Sequence, residues 1–200
     1  MQEKVKSPKK AVFRLYILPD GLEDIPANRE YVMEWANNLV VYEYATITSN
    51  LLAGTGLNYR IGGMYLEFEN VASPGDTVTV PTFDRTRNVS YYNNLSGSSD
   101  RDYLRVDLSS ATISSTDTTN FPQGNSVLFS ARSAGLTGVH GKTFSDTANS
   151  VIYGAALVSF VDGNDATQDL IYSATYLTAA QQQAKLSTSQ VGIEWELIHG

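Results

Sequence analysis

Over much of this chain apolar and polar residues alternate with a period of two, the mark of half-buried β-strands. From Ile61 to Thr82, Met64, Leu66 and Phe68 alternate with Tyr65, Glu67 and Glu69. Ser73-Pro74-Gly75-Asp76 follows, in which proline presets φ and glycine admits a positive φ. Thr77 to Val80 then alternates again, so the stretch predicts a β-hairpin whose polar face turns Glu67 and Glu69 outward. The same period predicts strands over Val12–Leu18, Leu39–Thr48, Asp102–Ile113, Ser126–Ala131, Asp169–Leu177 and Gln190–His199. Val151–Val161 is the most apolar run, and its Gly154 and β-branched residues favour strand over helix. Helical spacing occurs at Arg29–Asn38, where Tyr31 or Val32, Trp35 and Leu39 recur on one side, predicting a short amphipathic helix. Thr178–Ala184 has room for one or two helical turns. The remaining segments, 49–63, 83–101, 114–125 and 135–146, are rich in Gly, Ser, Thr and Asn and read as loops, the one at 83–101 with a single short strand.

These elements predict an all-β fold: a single β-sandwich, jelly-roll-like, with one short N-terminal helix and long loops. No internal repeat and no compositional linker divides it. Residues 11–200 are expected to form one domain, preceded by a flexible basic arm over residues 1–10 that carries Lys4, Lys6, Lys9 and Lys10.

Composition narrows the function classes. Twelve Tyr and seven Phe suit a β-rich protein, and the absence of Cys removes thiolate nucleophiles, disulfides and Cys-based metal sites. A net charge of −7 argues against broad nucleic-acid binding, which needs clustered Lys and Arg. No apolar stretch approaches the roughly 20 residues of a membrane-spanning helix.

Each candidate for chemistry has a plain structural alternative. Gly135 to Thr143 approaches the phosphate-loop pattern G-x-x-x-x-G-K-[ST], but Leu136 stands where the first glycine belongs, and no helix is expected to follow. Ser145, Asp146 and His140 hold the residue types of a hydrolytic triad without its sequence context. Glu67/Glu69 and Glu194/Glu196 are carboxylate pairs, each two apart on one strand, and so read as solvated strand faces. Asp162, Asn164, Asp165 and Asp169 offer oxygen ligands for Ca²⁺, yet the same residues build a β-turn. Tyr91, Tyr92, Asn93, Asn94 and Tyr103, in and beside the loop at 83–101, have the composition of a binding surface. No catalytic residue, cofactor or metal is assigned.

Several segments resemble small virion proteins of tailed bacteriophages. They are Asn37-Asn38-Leu39-Val40, the run Ile47-Thr48-Ser49-Asn50-Leu51-Leu52-Ala53-Gly54-Thr55-Gly56-Leu57, the strand MYLEFEN from Met64, and the closing VGIEWELI from Val191. The resemblance implies a non-enzymatic β-sandwich subunit of the tail, neck or capsid surface, carried in the virion after synthesis in the host cytoplasm. Its implied partners are other virion proteins and copies of itself. The alternative expectation is a carbohydrate- or receptor-binding module with the tyrosine loop as platform. Candidate contacts in either case are the basic arm and Tyr91, Tyr92, Asn93, Asn94 and Tyr103.

Overall fold

A computed structural model of the chain describes residues 10–33, 35–55, 57–73, 75–82, 84–95, 100–116, 118–133, 138–144, 150–184 and 188–199. It is mostly β: one antiparallel sheet curled into a half-barrel, with few short helices. In chain order the strands are β1 (Lys10–Pro19), β2 (Glu30–Tyr31), β3 (Ala36–Asn37), β4 (Leu39–Val40), β5 (Ile61–Asn70), β6 (Arg101–Ser114), β7 (Ser126–Arg132), β8 (Ser150–Ser159), β9 (Leu170–Tyr176), β10 (Gln183–Ala184) and β11 (Ser189–Ile198). The hydrogen-bonded order is β2-β1-β11-β7-β6-β5-β8-β9-β4, with β3 also on β1 and β10 on β8.

The curl is made by β6. Its first half, Arg101 to Asp107, pairs with β5, and its second half, Leu108 to Ser114, pairs with β7 across a register shift between Leu108 and Ser110. One strand thus belongs to both halves of the sheet. Their concave faces close on a single core in which Phe13, Leu15, Ile193 and Trp195 meet Leu66, Phe68, Leu104 and Ile152. The all-β expectation stands, but the sheet is continuous, where a sandwich in the strict sense would have two separate sheets.

Apart from Leu39–Thr48, the longer predicted strands are present within a residue or two; Val151–Val161 is strand as far as Ser159, and β8 is buried along its whole length. Three expectations are corrected. Arg29–Asn38 is not helical: its backbone runs along β1, with Tyr31 opposite Tyr16 and Ala36 opposite Phe13, so the sheet edge satisfies its polar groups. A helix falls instead across the predicted strand Leu39–Thr48, of which only Leu39–Val40 is strand, and the start of the predicted loop 49–63, as α1 (Glu43–Ala53), which buries Ile47 and stacks Tyr44 edge-on against Tyr172 of β9. Gly54 ends it in the left-handed conformation at φ 65°, the usual helix stop where other residues meet a Cβ penalty.

The third correction concerns the hairpin. The turn forms, with the Asp76 N–H on the Ser73 carbonyl (3.2 Å), but Thr77–Val80 does not return along β5. β5 lies between β6 and β8, at the centre of its half of the sheet. The Gln182 side chain takes the place of a strand partner for the returning segment, accepting from the Val78 N–H at 2.6 Å and donating to its carbonyl at 2.8 Å.

Candidate functional site

Of the polar positions in the alternation of β5, Tyr65 and Glu67 are buried and Glu69 is partly exposed. Tyr65, Glu67 and Glu69 form a ladder on the convex face, beneath the segment that carries α2 (Val89–Asn93). Each rung has an arginine. Tyr65 donates its hydroxyl to Asp169 (2.5 Å), and Arg105 holds that carboxylate with Nε and Nη2 at 2.7 and 2.9 Å. Glu69 accepts from Arg101 Nε (2.5 Å), whose Nη2 also donates to the Thr79 carbonyl (2.9 Å).

Glu67 is the rung furthest from solvent. It is fully buried, with Arg87 Nη1 at 3.7 Å from Oε1 and the Tyr91 hydroxyl at 3.4 Å from Oε2. The Arg87 guanidinium lies over the Tyr91 ring at 3.4 Å and donates to the Tyr176 hydroxyl. Glu67 Oε1 and the Tyr92 and Tyr153 hydroxyls have no hydrogen-bond partner among the described residues. Loss of water pushes the Glu67 carboxyl up to about 7, against the pull of Arg87. Gly154, opposite Glu67 on β8, is required for space: a Cβ there would strike the Tyr176 ring and crowd the carboxylate. The expectation that Glu67 faces water is therefore overturned, whereas Glu69 is partly exposed.

The convex face of β1 and β11 carries a second network. Buried Glu194 accepts from Arg14 Nε (2.5 Å) and from Arg29, and Arg29 Nε also donates to Asp24 (2.6 Å). Arg14 stacks over Tyr31 (4.0 Å) and Trp35 (4.5 Å). Glu196 is only partly buried and accepts from the Ser126 hydroxyl. Neither glutamate pair is a solvated face.

The predicted surface residues separate. Tyr92 and Tyr103 are fully buried, in a ring cluster with Tyr65, so they do not form an exposed platform. Tyr91 and Asn93 are half-buried, and Asn94 is exposed. Lys10 is exposed at the start of β1, while Lys4, Lys6 and Lys9 lie outside the described residues.

Of the candidate phosphate loop, residues 138–143 are described, and they wrap a carboxylate. Asp102, fully buried, accepts from the N–H groups of Tyr103 (2.7 Å), His140 (3.0 Å) and Lys142 (3.1 Å), and from the His140 ring Nδ1 (2.8 Å). A loop that gives its amides to an internal carboxylate does not present them to a phosphate. Ser145 and Asp146 lie outside the described residues. Of the calcium candidates, Asp162 and Asp165 accept from backbone N–H groups two residues on, and Asp169 is held by Arg105. Among the described residues no group of three His, Asp or Glu side chains is placed to hold a metal ion. No described helix is long and apolar enough to cross a membrane.

What the sequence reading missed is a surface. Beyond Asp107, β6 parts from β5, and Ser109 to Ser114 are exposed. Among the described residues its only strand neighbour there is β7, and no described strand pairs with the other edge of Leu108–Ser114. Beside the strand end lies a shallow hollow of ≈ 350 Å³ lined by Ile113, Phe121, Val127 and His199 together with Gln123, Gly124, Asn125 and Ser126. Ile113 is 69% exposed and Phe121 38%. The signal was present in the composition of LSSATIS, a strand with no charge and no proline, the devices that usually protect an edge.

Compared with protein-family models, curated proteins and solved structures, the chain matches none.

Proposed function

We propose that this protein is a non-enzymatic structural subunit of a tailed-bacteriophage virion, mediating assembly contacts in the tail or neck or on the capsid surface. The observation that carries this reading is the open, uncharged edge of Leu108–Ser114 beside an apolar hollow, on a chain whose net charge is −7. Unprotected edges invite strand pairing, and globular proteins normally block them with charge, proline or a cover. An edge left bare is a place for another chain. The segments from Asn37, Ile47, Met64 and Val191 that resemble phage virion proteins support the same class. The competing reading, a carbohydrate- or receptor-binding module, loses much of its platform with Tyr92 and Tyr103 in the interior.

Mass spectrometry of purified particles from a culture carrying the gene tests the reading. The chain should co-purify with particles through density-gradient banding, and its absence from them would overturn the proposal. The basic arm is a second contact of this reading. Deleting residues 1–9, which stops short of β1, should lower the association seen by light scattering when partner virion proteins are present, and should leave the folded domain intact.

A further inference from the structure

The direction of the open backbone groups follows from the pairing on the far side of β7. The Ser133 N–H donates to the Val191 carbonyl (2.9 Å), and the His199 N–H donates to the Asn125 carbonyl (2.7 Å). Between these bonds β7 and β11 run without a register shift. Within β7 itself, odd-numbered residues therefore exchange bonds with β11; Asn125, just before the strand, sends its N–H instead to the Ser114 carbonyl of β6 (3.0 Å), which turns even-numbered Ser114 toward β7. In an antiparallel ladder a residue directs both its N–H and its C=O to the same neighbour. The even-numbered Ser126, Leu128 and Ser130 face β6, opposite Ser114, Thr112 and Ser110. It follows that Ala111 and Ile113 send their N–H and C=O groups away from β7, into the open edge.

We infer that this edge pairs with the same edge of a second copy of the chain, antiparallel about a two-fold axis through Thr112. The inference rests on reading the edge as an assembly contact and names its partner. In that register Ala111 of each copy lies opposite Ile113 of the other, so the outward N–H and C=O groups of both residues exchange four hydrogen bonds across the axis. Self-pairing suits the chemistry of the strand. Two copies carrying −7 each repel over most of their surfaces, but Leu108 to Ser114 brings no charged side chain to the contact. A two-fold contact requires a self-complementary patch. Here Thr112 meets Thr112, a favourable cross-strand pair, and Ser110 meets Ser114. On the other face, each exposed Ile113 packs on the small Ala111 of its partner. The two sheets then continue through the contact, and neither copy keeps this edge bare.

The register makes the test specific. Thr112 residues at a non-hydrogen-bonded antiparallel position sit about 4.5 Å apart at Cα, within disulfide range. Ser110 residues lie four positions apart along the strands, about 13 Å, well outside it. The chain has no cysteine to interfere. Under mild oxidation Thr112→Cys should cross-link into a covalent dimer and Ser110→Cys should not. In sedimentation equilibrium the unmodified chain should be a dimer. Ala111→Pro removes only an outward N–H, so it should stay folded by circular dichroism while self-association weakens roughly 30-fold. Should Ala111→Pro lose its fold, Thr112→Lys, which sets two ammonium groups face to face at an exposed position, must give the same weakening. A monomeric unmodified chain, equal cross-linking at the two positions, or a dimer that both Ala111→Pro and Thr112→Lys leave intact would overturn the inference. A monomeric chain that still bands with particles would leave the virion reading standing and remove only the self-pairing.

Discussion

Glu67 sets up the clearest residue-scale prediction. Its carboxyl is raised from the ordinary 4.5 to about 7 because burial removes water that Arg87 at 3.7 Å only partly replaces. A carboxyl raised in the folded state holds its proton more tightly there than in the unfolded chain. Its contribution to stability is fully present below pH 4.5 and is lost as pH rises through about 7. The loss is on the order of 3 kcal/mol for a shift of this size. Glu67→Gln, which mimics the protonated form, should flatten the change in urea midpoint between pH 5 and pH 7.5 relative to the unmodified chain. Equal slopes in the two proteins would show that Glu67 does not titrate there. Asp102 is buried too, and its carboxylate is held by three backbone N–H donors and a histidine. Asp102→Ala strands those donors and should cost about 3–5 kcal/mol. Hydrogen exchange should show the His140 and Lys142 amides losing protection first.

At the scale of elements, alternation located strands well and their neighbours poorly. Period two reports that a stretch is pleated with distinguishable faces, and for β1, β6, β9 and β11 that sufficed. It does not report whether the polar face meets water or a second buried layer. Glu67 and Glu194 look alike in sequence to solvated glutamates, and only their distant arginines, Arg87, Arg14 and Arg29, mark them as interior. Helical spacing misled at Arg29–Asn38 because Tyr31 and Trp35 serve there as stacking partners for Arg14, not as one face of a helix. The open edge of β6 was legible only as missing charge, since which strand a segment lacks depends on the whole topology. Gln182 is the element-scale test of this point, because its amide stands in for a strand partner to Val78. Gln182→Ala removes both bonds and should cost about 1–3 kcal/mol, with faster exchange of the Val78 amide as the local readout.

At the scale of the whole molecule, β6 makes the two halves of the sheet a single cooperative unit. Phe13 and Trp195, 5.4 Å apart, belong to the half built on β1 and β11, whereas Phe68 belongs to the half built on β5, and all three share one core. Had the halves been independent layers, a cavity in one would loosen that half alone. With a shared core and a shared strand, the free energy of opening either half includes the contacts of the other. Phe68→Ala, at a fully buried site packed against Phe144 at 5.0 Å, should therefore cost about 3–5 kcal/mol. Amide protection should fall in β1 and β11 by as much as in β5 and β8, and thermal unfolding should remain a single transition. Protection lost only in β5 and β8 would mean that the two halves open separately and that β6 acts as a hinge between them. Since β6 also carries the edge proposed to pair, the answer bears on that proposal: a cooperative body would present Ala111 and Ile113 in a fixed direction, leaving little ordering to be done on pairing.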